Sequence, residues 1–292
     1  MKALFNRQWL CTVKKLPEGV RAETHYLDTR REISVQMLVD PHSFAVLKAA
    51  VETYRAPGGR EFCKSREIPE MAGIVAYFDA GRELRKIPWE NELEHNLMAE
   101  NVRAVIQAET YLTKERGYAS DEEYDDYWRE MYRNTCRYYS NLERVKCTWF
   151  EHIADQERFG NLFSRHHSYT LYSTENDSFG CSPENPSPGL ILTGIFHDSF
   201  HELGLVLELD GSAKAVVSAR AHMLRGPDDI CREGMAEAAN LVGKSFSPPP
   251  GKKEIAPLLG GRNACVHLID LASNLGQTLN YYQEYQEGAQ RD

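Results

Sequence analysis

The sequence has no apolar run long enough to cross a bilayer, no Cys-x-x-Cys pair and no surplus of basic residues. The first absence excludes a membrane-spanning helix, which needs roughly 20 apolar residues. The opening Met1-Lys2-Ala3-Leu4-Phe5-Asn6 breaks into Arg7-Gln8 before any signal-like core develops, so the chain reads as cytoplasmic. Seven cysteines, at 11, 63, 136, 147, 181, 231 and 265, form an odd set without secretory context. That excludes a disulfide framework and leaves buried small hydrophobes or thiol ligands. With Lys+Arg at 34 against Asp+Glu at 43, the net charge of -9 argues against a nucleic-acid surface, which needs clustered cations.

What is present is a globular composition, 42% hydrophobic and 26% charged over 292 residues, enough for two ordinary domains. The chain also echoes itself. Leu162-Phe163-Ser164-Arg165 matches Leu4-Phe5-Asn6-Arg7 at a spacing of about 158 residues, a period that predicts two repeated domains. Leu209-Asp210-Gly211 matches Val39-Asp40-Pro41, and Leu224-Arg225-Gly226-Pro227 before Cys231 matches Tyr54-Arg55-Ala56-Pro57 before Cys63. Sliding one copy over the other sets Arg31 opposite His201, Met98 opposite Cys265 and Glu100 opposite His267. Metal-ligand residue types therefore collect in the second copy.

Each copy reads strands first and helices second, an α+β fold with an antiparallel sheet and helices packed on one face. In the second copy, Ser168–Ser173, Gly189–Phe196, Leu203–Leu209 and Lys214–Met223 are apolar segments bounded by turn signals such as Glu184-Asn185-Pro186-Ser187-Pro188-Gly189. Pro227-Asp228-Asp229 opens a helix expected to reach Gly243. Beyond the stiff Ser247-Pro248-Pro249-Pro250-Gly251, Asn263 is expected to cap a last helix carrying Leu268, Leu271, Leu275 and Leu279. In the first copy, strands are expected over Glu32–Val39 and Phe44–Val51, and helices near Glu67–Leu84 and Asn91–Arg116. Between the copies, Ser120-Asp121-Glu122-Glu123 fits a capping box before a long aromatic-striped helix with Trp128, Tyr139 and Trp149. The expected organisation is 1–118 as a degenerate first copy, 119–157 as a linking helix and 158–292 as the second copy.

Three features of the second copy carry candidate chemistry. Cys231 and Cys265 fall in the first turns after Pro227 and Asn263, where exposed amides and the helix dipole favour a thiolate. Phe196-His197-Asp198-Ser199-Phe200-His201-Glu202 joins two strands, and a hairpin end brings residues on its two limbs close, so His197, Asp198 or His201 is expected to add an imidazole or carboxylate to the two thiolates. Cys, His and Asp donors suit zinc, iron or an iron–sulfur cluster. His267 lies two residues after Cys265, and a full helix would turn the two apart by roughly 200°. It is either a ligand or a supporting group. His166 and His167 are expected at the surface, with no role.

At these residues the sequence resembles a bacterial family catalogued only as domain of unknown function 2889. The likeness runs through Asp198, Pro227 with Cys231, Leu241-Val242-Gly243 and Cys265-Val266-His267-Leu268, and the first copy keeps only Asp28, Pro57 and Cys63. The element order is also similar to iron–sulfur assembly scaffolds of the IscU/NifU type. There Gly243-Lys244-Ser245, Cys231 and Cys265 fall at matching places, Ser199 stands where the first scaffold cysteine falls, and His267 follows its cysteine instead of preceding it.

The leading expectation is a metal-binding, scaffold-like protein with zinc or iron at Asp198, His201, Cys231, Cys265 and His267. One alternative is a metal-dependent enzyme with an open coordination position, in which Asp198 or Glu202 moves a proton on a small molecule. The other is a structural or partner-binding protein with inert cysteines.

Overall fold

In the computed structural model, the structure describes residues 1–153, 156–174, 189–211 and 215–289. Cys181, the turn expected over 184–188 and the start of the strand expected at Lys214 lie outside the described residues. The chain is a mixed α+β protein. Its strands are β1 (Lys2–Leu16), β2 (Gly19–Asp28), β3 (Glu32–Val39), β4 (Val46–Arg55), β5 (Lys64–Glu67), β6 (Asn161–Ser173), β7 (Leu190–Asp198), β8 (Glu202–Leu209) and β9 (Val216–Arg225). The α-helices are α1 (Ala80–Leu84), α2 (Glu92–Ala108), α3 (Asp121–Met131), α4 (Trp149–Ile153), α5 (Asp229–Glu233), α6 (Lys252–Ile255) and α7 (Val266–Ala289).

The chain divides into two compact units. One comprises residues 8–127 and 154–166, and the other comprises 1–7, 128–153 and 167–292. They are called the first and second unit below. The division departs from a simple cut near residues 118 and 158, and the reason lies in two arginines of the repeated tetrapeptide. Arg7 Nε donates to Thr278 Oγ1 at 2.8 Å and its Nη2 to Asn274 Oδ1 at 2.8 Å, which ties Met1–Arg7 to α7. Arg165 Nη1 meets Glu100 Oε1 at 3.1 Å, which ties the start of β6 to α2. Glu100 receives one arginine as Asn274 receives the other.

In the first unit the strand order is β5-β4-β3-β2-β1, with antiparallel pairing from β2 through β5. Val20, Ala22, Thr24 and Tyr26 alternate inward along β2, as do Ile33, Val35, Met37 and Val39 along β3. Helix α2 covers β2 and β3, and Asn91 caps it by accepting from the Glu94 amide at 3.1 Å. β1 and β2 were not anticipated as strands.

The second unit has the order β6-β7-β8-β9 with α7 over β7 and β8. Leu203, Leu205, Leu207 and Leu209 fill its inner face. Gly194 lets the helix come close, since a Cβ there would stand 3.2 Å from side-chain carbons of both Leu271 and Leu275. The β8–β9 ladder slips register between Glu202/Leu203 and Glu208/Leu209, and the β3–β4 ladder slips between Glu32/Ile33 and Leu38/Val39.

The single long helix expected over 119–157 is not formed. Among the described residues of this stretch only α3 and α4 are helical, and Asn134 between them has φ 61, a left-handed backbone that ends a right-handed helix. The aromatic stripe still packs, because Trp128, Tyr138, Tyr139 and Trp149 are buried. Similarly, the helix expected from Pro227 to Gly243 is α5 followed by a 3-10 stretch over Gly234–Leu241. The one expected over Glu67–Leu84 is α-helical only in α1.

Candidate metal centre

The turn joining β7 to β8 is built around one carboxylate. Asp198 Oδ1 accepts from the main-chain N–H of Phe200 at 2.8 Å and of His201 at 2.6 Å, while its own N–H donates to His201 O at 2.8 Å. Arg225 at the end of β9 locks the outside of the turn. Its Nη1 donates to Ser199 O at 2.8 Å, and its Nη2 to Asp198 O at 2.7 Å and His201 O at 3.3 Å.

The first unit builds the same turn around Asp28. Its Oδ1 accepts from the N–H of Arg30 and Arg31, and Arg55 Nη2 donates to Asp28 O and Arg31 O. Two of the differences between the turns bear on the donors. Tyr26 donates its hydroxyl to Asp28 Oδ2 at 2.8 Å, where the second unit has Phe196 and no hydroxyl. Arg31 stands where the second unit has His201.

In the second unit Asp198 and His201 belong to a donor cluster. His201 Nδ1 lies 3.1 Å from Asp198 Oδ1, and the His201 and His267 ring centroids are 4.2 Å apart. Asp198, His201 and His267 each offer one ligand atom, and these atoms all lie within 4.8 Å of one another. Asp198 and His201 are buried and His267 is partly exposed. Phe196 packs on His267 at 4.5 Å and Trp149 on Phe200 at 4.7 Å, which gives the cluster an apolar wall.

The expected five-residue set is thus brought together in part. Among the described residues, neither Cys231 nor Cys265 belongs to a group of three or more donors this close. Cys231 falls in the first turn of α5 as expected, whereas Cys265 stands immediately before α7, because Asn263 ends a short 3-10 turn instead of capping that helix. The late start of α7 does free Cys265 from strict helical opposition to His267, yet its sulfur still lies outside the cluster. Their environment is the reverse of a thiolate pocket. Burial pushes the Cys265 thiol up to about 12 and raises Cys231 as well, outweighing the amides at the helix starts.

Three neighbours were not anticipated. Arg225 is one, legible only through the sequence echo that sets it beside Arg55. His152 in α4 is the second, with Nε2 3.2 Å from Phe200 O. Burial, followed by the His201 and Arg225 charges, holds its pKa below the usual histidine value. The third is His167. Expected at the surface, it is buried in β6, 2.9 Å from the Tyr169 hydroxyl and edge-on to Phe196. The alternation of β6 turns it inward.

A family model described as "Protein of unknown function (DUF2889)" matches residues 195–280, the stretch that holds all three members of the cluster. No curated protein and no solved structure matches the chain. Among the described residues, no helix is long and apolar enough to cross a membrane.

Proposed function

We propose that the chain is a metal-binding protein whose ion is held by Asp198, His201 and His267. The observation that carries this reading is the convergence of one carboxylate and two imidazoles within 4.8 Å, from a strand end, a turn and a helix start. The donor set fits a divalent first-row ion. Two imidazoles and a carboxylate suit iron(II), and zinc with water in the fourth position. A scaffold for iron–sulfur clusters would need thiolates at the same centre, so the N/O donors favour a single ion.

When bound, such an ion supplies Lewis acidity and a water of lowered pKa. The chain's own residues fix the geometry. The amides of Phe200 and His201 orient the Asp198 carboxylate, and Arg225 holds the turn so that His201 faces His267. Phe196 and Trp149 limit water on the apolar side. Three protein donors leave positions open, which favours chemistry on a small molecule over a closed structural shell.

We further infer that the two units are copies of one ancestral unit and that the first has lost the centre, keeping a structural or partner-binding role. What supports this is the shared turn at Asp28 and Asp198, the arginine clamps Arg55 and Arg225, and the matching register slips.

The test is titration of metal-free protein with cobalt(II), read by its visible d–d absorption. One ion per chain with N/O ligation is expected, lost in Asp198→Asn, His201→Ala and His267→Ala and kept in Cys231→Ala and Cys265→Ala. Unchanged binding in the histidine variants would overturn the proposal.

A further inference from the structure

Strands β4 and β9 start alike and then differ along one edge. The Val46 N–H donates to Ile74 O at 2.8 Å and Val46 O accepts from the Gly73 N–H at 2.9 Å. In the second unit the Val216 N–H donates to Lys244 O at 3.0 Å and Val216 O accepts from the Gly243 N–H at 2.8 Å. Beyond that point β4 gains β5 as a second neighbour, with Ala50 opposite Glu67 and Thr53 opposite Lys64, and the Ile68 N–H donates to Ala49 O at 2.9 Å. At the same stage of the second unit the chain is wound into the 3-10 stretch Gly234–Leu241. That stretch packs beside β9, yet among the described residues no main-chain group bonds residues 217–224 on the side away from β8.

The edge is accessible as well as unbonded. Ala49 and Val51, opposite Met37 and Val35 of β3, are buried. Ala219 and Ala221, opposite Leu207 and Leu205 of β8, are only half-buried. Alternate residues of a strand turn their N–H and C=O groups toward each side, and an unpaired row of them is a template for one more strand. No proline interrupts β9.

The side chains define what fits there. Arg220 and His222 are exposed, stand opposite the uncharged Val206 and Gly204 on β8, and make no ion pair among the described residues. Carboxylates at alternate positions of an incoming strand would complement them, and apolar side chains between would cover Ala219 and Ala221. β9 itself holds no acidic residue, so a second copy of it laid antiparallel on this edge would set cations against cations. We propose that β9 is a docking edge for an extended segment of a partner protein in which acidic and apolar residues alternate. The segment joins as a further strand through main-chain hydrogen bonds, without using Asp198, His201 or His267.

A fluorescent synthetic peptide of alternating glutamate and valine, about ten residues and so the length of a long strand, tests this on the full chain. Saturable binding is expected, with slowed hydrogen exchange at alternate amides of residues 217–224. N-methylation of one alternate set of peptide nitrogens should abolish binding, and methylation of the other set should spare it, since only one set faces β9. Arg220→Glu should weaken the glutamate–valine peptide about 10-fold and favour a lysine–valine peptide instead, with thermal melting verifying that the variant folds. No binding to folded wild-type protein, binding indifferent to either methylation, or unprotected amides at 217–224 would overturn the proposal. Self-association that protects the same amides without peptide would also overturn it, assigning the edge to a second copy.

Discussion

Arg225 Nη2 donates to the main-chain oxygen of Asp198 at 2.7 Å, just as Arg55 Nη2 donates to that of Asp28 at 2.9 Å. The same clamp thus serves a turn that carries a donor cluster and one that does not. Replacing either arginine by methionine should destabilise the fold by about 1–3 kcal/mol, since charged donors to main-chain oxygens are removed. Only Arg225→Met should also weaken metal binding, by about 10–100-fold, as supporting contacts to ligands typically do. Urea denaturation of both variants, set beside cobalt(II) titration, checks the distinction.

Phe196→Tyr introduces beside Asp198 the hydroxyl that Tyr26 directs at Asp28 Oδ2. It should compete with the ion for the Asp198 carboxylate. The expected outcome is a several-fold loss of cobalt(II) affinity with little change in thermal midpoint. Affinity equal to wild type would mean that the other oxygen is the ligand atom.

Asp228 caps α5 and also binds the preceding loop. It accepts from the N–H of Ile230 at 3.0 Å, of Lys146 at 2.8 Å and of Cys147 at 3.0 Å. Burial works against its ionisation, but the three donors win and hold its carboxyl below the ordinary 3.8. A depressed carboxyl stabilises the fold above the unfolded value and ceases to do so as pH falls through the lower folded value. Asp228→Ala should cost about 1–2 kcal/mol near neutrality. Urea midpoints measured against pH should show this gap constant above about pH 4 and narrowing below it.

The pair Arg165 and Glu100 is almost fully enclosed, with side-chain exposures of 7% and 5%. Glu100→Gln leaves the guanidinium buried without its counter-charge, and a loss of about 3–5 kcal/mol is expected. Asn274→Ala, which removes a neutral acceptor from Arg7, should cost less, near 1–2 kcal/mol. Equal losses in chemical denaturation would contradict this ordering.

Much of the second unit was legible because its strands alternate or run apolar between clear turn signals, and because Asp198 and His201 sit at a hairpin end. The first-unit strands β1 and β2 were missed. Phe5, Arg7, Trp9, Cys11 and Val13 do alternate inward, but a buried arginine breaks the apolar pattern that betrays a strand. The donor set was legible by residue type and not by membership. His267 joins His201 only because α7 crosses β7 closely at Gly194, a contact between residues about 80 positions apart that no local pattern encodes. Cys231 was placed correctly in a helix's first turn and Cys265 one residue too far into its helix, but how deeply packing would enclose them, and so which way their ionisation would go, depends on the assembled unit.

Helix α7 carries His267 at its beginning and, two turns on, the Asn274 and Thr278 acceptors that hold Arg7. The opening seven residues therefore belong physically to the last helix. A fragment begun at β6 would strip that helix of its arginine brace and expose Thr278. The chain cannot be severed near residue 158 without this loss, and dissection of this protein must carry its amino terminus along with its carboxyl half.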